Sequence, residues 1–214
     1  MIVAIYPVKG GTGKTTLALA LAGAAAMRGM RVLLVDLDQA TPRASQSLLE
    51  GSRAPLGEVV AGLGPWYGVR VTAWDGESQV PFAGADLTII DCPADPGKAR
   101  PAAEVADIVL LPVPPEPFAA IGLADAHAAL PEQARDRARM VISMADQRER
   151  LHRDGEAEIR SALGERVVEP VVPRRAAVPR VQAEGAPMQL SQDRGLGDVL
   201  PAVEALLDSI MGGK

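Results

Sequence analysis

Two lysines, three glycines and three threonines fill eight residues, Lys9-Gly10-Gly11-Thr12-Gly13-Lys14-Thr15-Thr16, between the apolar run Ile2-Val3-Ala4-Ile5 and the Ala- and Leu-rich segment Leu17 to Met27. That order reads as strand, loop, helix. Lacking Cβ atoms, Gly10, Gly11 and Gly13 let successive backbone N–H groups turn inward around an anion at the positive end of the following helix. Lys14 adds a point charge suited to the β- and γ-phosphates of a nucleotide, and the Thr15 hydroxyl is a ligand for Mg²⁺. The plain alternative is a glycine turn with no ligand. Against it, the chain has only four lysines, Lys9, Lys14, Lys98 and Lys214, and two of them flank this loop. Three acids complete the chemistry. Asp36 and Asp38, in Leu34-Val35-Asp36-Leu37-Asp38-Gln39, lie two apart, so a continuing strand points both toward the same side. Asp91, after Leu87 to Ile90, repeats the pattern of a buried strand that ends in an acid, which sets a carboxylate near Mg²⁺ directly or through water.

The elements that position these residues follow from the apolar pattern. Gly29 ends the first helix, and Arg31 to Asp36 reads as a second buried strand that closes a right-handed parallel βαβ unit. Thr41 to Glu50 reads as a short helix after the Pro42 signal, Gly51 to Gly68 as irregular, and Val69 to Ala73 as a short strand. The strand ending at Asp91 leads to a helix over Lys98 to Val105, and then to a strand over Ile108 to Val113. A proline-rich corner follows (Pro112, Pro114, Pro115, Pro117), then a helix from about Phe118 to Leu130 and a strand over Ala138 to Ser143. Gln147 to Leu163 is a charged helical stretch that Gly155 is expected to interrupt. Val167-Val168 reads as a last short strand, and Arg174 to Glu184 and Leu196 to Met211 as helices. In the last one Leu196, Val199, Leu200, Val203, Leu206, Leu207 and Ile210 share one face. Strands alternating with helices predict an α/β fold: a doubly wound, mostly parallel sheet of about seven strands, helices on both faces, and ligands at the carboxyl ends of the strands.

The phosphate loop departs from the general P-loop pattern, since Val8 stands where that pattern has a Gly. Lys9 ahead of the glycines makes it the deviant form K-G-G-x-G-K-[ST], which resembles the ParA/MinD family of deviant-Walker ATPases. The resemblance extends over Val35 to Gln39, Ile89 to Pro93 and Leu110 to Pro117, and is strongest to the small ParA-type partition and positioning ATPases. It implies ATP and Mg²⁺ as ligands, with Gly10 to Thr16 as the nucleotide cradle and Lys14 and Thr15 as phosphate and magnesium ligands. It further implies that Lys9 reaches across a homodimer to the partner's nucleotide, that Asp38 positions the attacking water, and that Asp36 and Asp91 support the magnesium. Two departures bear on the site. Relatives commonly have a proline between the second acid and the glutamine, whereas Gln39 follows Asp38 directly. Relatives also often carry Asn-Arg or Thr-Arg after the strand that here ends in Ser143, and this chain has Met144-Ala145. Base contacts are therefore expected from backbone and from the corner that holds Pro112 and Pro114.

A length of 214 residues suits one α/β domain, residues 1–214. With 48% hydrophobic but only 3% aromatic residues, the core is expected to be Ala, Val, Leu and Ile, as suits a buried parallel sheet. One cysteine, Cys92, excludes a disulfide framework and, within one chain, a cysteine-ligated cluster or zinc site. The first strand begins at Ile2 with no charged-then-apolar leader before it, and no apolar run reaches membrane-spanning length, so a soluble, cytoplasmic protein is expected. A net charge of −5 requires any nucleic-acid surface to be local. Arg174, Arg175 and Arg180 have few acids near them in sequence and are the candidates for nonspecific duplex DNA. Arg135, Arg137, Arg148, Arg150 and Arg153 are interleaved with acids and read as a solvated face. By resemblance, then, the expectation is an ATP-dependent dimer on nucleoid DNA that segregates or positions a plasmid, chromosome or protein organelle, with a partner protein stimulating hydrolysis. The competing classes are a MinD-like membrane-surface switch, which needs a basic amphipathic tail where this one carries Glu204 and Asp208, and a P-loop small-molecule ligase or kinase, in which Lys9 has no evident work.

Overall fold

The structure, a computed structural model, describes residues 1–37, 63–78 and 84–212, and of residues 63–66 the backbone alone. Asp38, Gln39, the helix expected over Thr41 to Glu50, the stretch from Gly51 to residue 62, and Lys214 lie outside the described residues. Among the described residues eight strands form one sheet: β1 (Ile2–Ile5), β2 (Val32–Asp36), β3 (Leu63–Trp66), β4 (Val69–Ala73), β5 (Leu87–Asp91), β6 (Ile108–Val113), β7 (Ala138–Ala145) and β8 (Val172–Pro173). Their spatial order is β3-β4-β2-β5-β1-β6-β7-β8. β3 runs antiparallel to β4, and the other pairings are parallel. The order places β1 centrally, between β5 and β6, so the loop that leaves its carboxyl end opens where strand order reverses, the usual ligand crevice of such sheets.

Strand side chains alternate between two cores. Val3, Ile5, Leu34, Ile89 and Leu110 point to the face covered by α1 (Lys14–Met27) and the terminal helix, here α7 (Val199–Met211). Ala4, Tyr6, Leu33, Val35, Ile90 and Leu111 point to the other face, under α2 (Pro96–Val105), α3 (Ala119–Ala129), α4 (Glu132–Arg135) and α5 (Arg150–Leu163). Burial on both faces is why the strands read as continuous apolar runs rather than alternating ones. The buried residues of α1 run without a break from Leu17 to Ala25, because the helix lies between the sheet and α7.

Several expectations need correction. α5 runs unbroken through Gly155, whose missing Cβ is needed for packing: an added Cβ would lie 2.4 Å from the Pro115 carbonyl oxygen. Val167 makes only an isolated bridge to Met140, and the last strand is β8, at Val172–Pro173. The stretch Arg174 to Glu184 holds a shorter helix, α6 (Ala177–Gln182), because the Arg174 N–H just after β8 is bonded to the Ala145 carbonyl of β7. The irregular segment before Val69 contains β3. α2 starts two residues early, at Pro96, where the Asp95 side chain accepts from the Gly97 N–H at 2.8 Å.

Candidate nucleotide site

The loop after β1 is built on backbone conformations that need glycine. Gly11 and Gly13 have φ of +76° and +83°, and Gly13 caps α1, its carbonyl accepting from Leu17 N–H at 2.8 Å. Between them Thr12 is fully buried, and Ser143 at the end of β7 donates its hydroxyl to the Thr12 carbonyl at 3.2 Å. Lys14, in the first turn of α1, is 9% exposed. Gly11 to Leu17 form one wall of a cavity of about 700 Å³. A cradle of turned backbone, a helix N-terminus and a buried lysine is an anion site by construction.

The acids arrive by strand register. Asp36 at the end of β2 pairs with Asp91 at the end of β5. Both are buried, and Thr15 Oγ1 donates to Asp91 Oδ2 at 2.7 Å. The phosphate loop, Thr15, Asp36 and Asp91 are thus brought together as expected. A hydroxyl and two carboxylates are hard oxygen ligands, and no cage of three or more His, Cys, Asp or Glu surrounds them among the described residues. That donor set fits Mg²⁺ shared with a ligand's phosphates rather than an all-protein metal site. Burial, followed by the neighbouring Asp91 charge, pushes the Cys92 thiol well above its usual range.

The opposite wall is lined by Met144, Val172, Pro173, Arg174, Arg175, Ala176 and Gln182, and Pro112 and Pro114 do not line this cavity. Those two prolines are buried, one within β6 and one just beyond it, and the adjacent Pro115 packs against α5. The last strand brings this wall to the site: Arg174 N–H donates to the Ala145 carbonyl at 2.8 Å.

Lys9 points elsewhere. Its Nζ donates to Glu116 Oε2 at 2.6 Å, and both side chains are about half exposed. The Lys9 ammonium holds the Glu116 carboxyl below its ordinary range, with smaller help from His152 and Arg174. Sequence reasoning missed Glu116; its one signal was an acid set between prolines at a strand end. The basic trio also differs from expectation. Arg175 is ion-paired with Asp198 and Arg180 with Asp193, acids that lie 23 and 13 residues away in sequence. Arg174 and Arg175 moreover line the cavity, which Arg180 does not.

Comparison with known proteins follows this geometry. The family model of the CobQ/CobB/MinD/ParA nucleotide binding domain matches residues 3–188. The chain belongs to this family. Among ParA/MinD relatives, it is 32% identical over 213 residues to the chromosome-partitioning ATPase Soj of Thermus thermophilus, covering 86% of this chain and 85% of that protein. Among solved structures, its fold resembles a plasmid partition protein of Borrelia burgdorferi bound to AMPPNP, with TM-score 0.75, 16% identity, and 100% and 99% of the two chains covered. It also resembles the MinD cell division protein of Aquifex aeolicus, with TM-score 0.76, 20% identity, and 99% and 96% covered. The expected ParA/MinD-type α/β fold is therefore borne out.

Proposed function

We propose that this chain is a ParA-type ATPase, a single-domain switch that dimerises with ATP and Mg²⁺, binds nonspecific duplex DNA, and segregates or positions a cargo. The observation that carries the reading is the division of labour between two lysines five residues apart. Lys14 is buried in the cradle, whereas the Lys9 side chain is 54% exposed on the outer side of the same loop. An enzyme that works alone needs only the first. An exposed lysine beside the loop supports a role at the γ-phosphate of a second copy, where it would offset developing charge as an arginine finger does.

In this reading the backbone of Gly10 to Thr16 and the Lys14 ammonium hold the triphosphate. Thr15, Asp36 and Asp91 would hold Mg²⁺, which would supply positive charge to offset that of the phosphates. Asp38 orients the water that attacks the γ-phosphate. ADP leaves Lys9 without its target, and the dimer separates. A partner protein that favours the closed dimer speeds this step and sets the timing. Arg174, with weaker help from the ion-paired Arg175 and Arg180, supplies phosphate-backbone contacts that two copies double. The setting is the cytoplasm, on the nucleoid. No described helix is long and apolar enough to cross a membrane, and two acids of the terminal helix, Glu204 and Asp208, are ion-paired with Arg28.

Sedimentation velocity with ATP and Mg²⁺, against ADP and Mg²⁺, tests the switch. A dimer with ATP only is expected, with duplex-DNA binding confined to that species and weakening steeply with salt. A monomer in both, or equal DNA binding in both, refutes it.

A further inference from the structure

Two of the three arginines that are candidates for DNA are held by carboxylates from the segment between α6 and α7. Arg180, on α6, directs its Nε and one terminal nitrogen to a single oxygen, Asp193 Oδ2, the Nε at 3.1 Å. Arg175, just before α6, is ion-paired with Asp198 and also donates to the Arg174 carbonyl at 2.7 Å. Packing sets the Asp193 carboxylate in place. Asp193 opens the 3₁₀ turn Arg194–Leu196, and its other oxygen accepts from Gly195 N–H at 2.9 Å. Leu196 is buried, and Gly195 lies so near α6 that an added Cβ would stand 2.8 Å from Ala177 Cβ. The turn is thereby seated on the helix. The Arg180 side chain is 61% exposed and that of Asp193 only 24%, so when the pair opens it is the arginine that swings away.

A guanidinium gives the same charge-assisted hydrogen bonds to a carboxylate as to a phosphate. Arg180, followed by the Gly195 N–H, holds the Asp193 carboxyl below its ordinary range, so it remains an anion at neutral pH. DNA that reaches Arg180 or Arg175 must therefore displace an acid, and it leaves that acid facing its own phosphates. We infer that Asp193 and Asp198 are internal stand-ins for the DNA backbone, autoinhibitory contacts that lower the affinity of this arginine face for duplex DNA. Opening one exposed ion pair shifts an equilibrium by up to about fivefold. A dimer opens each pair twice, so releasing Arg180 in both copies amounts to up to about 25-fold. The inference rests on the reading above that this face meets DNA when ATP is bound.

The test is fluorescence anisotropy of a labelled duplex of arbitrary sequence, with ATP and Mg²⁺, on the wild-type chain, Asp193→Asn, Arg180→Ala and the double variant. Asn keeps an oxygen for the Gly195 N–H and caps as well as Asp, so Asp193→Asn should melt with wild type. Its DNA affinity should rise by about twofold to 25-fold. Removing any acid near DNA also relieves repulsion, and the Arg180→Ala background isolates that share, since there the same substitution frees no arginine. The gain should be at least about twofold larger with Arg180 present than without it. A smaller difference, or no gain, overturns the inference. Should Asp193→Asn melt early, Asp198→Asn with and without Arg175→Ala is judged by the same threshold. If the wild type and the variants all fail to bind the duplex with ATP, the DNA reading itself falls and the autoinhibition with it. Binding by all of them with a gain below the threshold refutes the autoinhibition alone.

Discussion

Gly155→Ala gives the sharpest test of how the corner beside Lys9 is held. In an exposed helix this change stabilises by about 1 kcal/mol, because glycine has more backbone freedom to lose. Here the added Cβ would meet the Pro115 carbonyl oxygen at 2.4 Å and its carbon at 2.9 Å. Both are backbone atoms, so no side chain can swing aside, and the gap falls about 1 Å short of ordinary contact. Overpacking of this kind costs about 1–3 kcal/mol, which offsets or outweighs the propensity gain and leaves a net loss of up to about 2 kcal/mol. For a chain of this size the melting temperature should fall by up to about 8 °C, and should lie below that of a glycine-to-alanine change without the clash. Gly122→Ala, inside α3, is the control. Its Cβ would find only Val8 Cγ1, at 3.8 Å, so that variant should melt at or above wild type. Thermal unfolding by circular dichroism measures both. If Gly155→Ala melts as high as Gly122→Ala, the close approach of α5 to the corner is wrong, and with it the account of what fixes Glu116.

Other outcomes follow from the same contacts. Glu116→Gln should barely change stability, since half-exposed ion pairs contribute under about 1 kcal/mol, yet it frees Lys9 and should raise ATP-dependent dimerisation in sedimentation; unchanged dimerisation would show the pair to be idle. Because Lys9 depresses the Glu116 carboxyl, the pair's contribution is present above the usual glutamate range and fades as pH falls through the depressed value, which melting of wild type against Glu116→Gln between pH 6 and pH 3 should register as a converging difference. Lys9→Ala and Asp38→Ala should each lack ATPase activity, and equal mixing should restore about a quarter of it, because half the molecules then carry one complete site of two; no recovery in dimers shown to be mixed places Lys9's action within its own subunit. Arg174→Ala should lower the slope of log DNA affinity against log salt by about one unit per protomer contact, and Arg180→Ala by less, given its pairing with Asp193; equal slopes in both would point to another surface.

What could be read from sequence was whatever local pattern dictates. β1, β5 and β6 stand as expected because buried parallel strands are apolar throughout, and the loop between β1 and α1 was legible because three glycines and two lysines leave few other uses. Asp36 and Asp91 were legible as strand-end acids, although their register pairing needed the sheet. The misreadings share a cause, which is contact between segments far apart in the chain. Gly155 looks like a helix breaker until Pro115 is seen against it. Arg175 and Arg180 look unopposed until Asp198 and Asp193 fold back onto them. The cavity wall opposite the phosphate loop was missed because β8 has two residues and carries no periodicity, so nothing local brought Pro173 and Arg174 to Met144. Glu116 answers Lys9 across 107 residues.

The central claim is that Lys14 and the glycine loop hold the phosphates of ATP. Calorimetric titration of ATP with Mg²⁺ into the wild-type chain and into Lys14→Ala tests it most directly. The wild type should bind, and the variant should bind too weakly to titrate while keeping its melting temperature, because the ammonium serves the ligand's phosphates and not the core. Equal affinity in the two proteins would contradict the assignment of this loop as the nucleotide site.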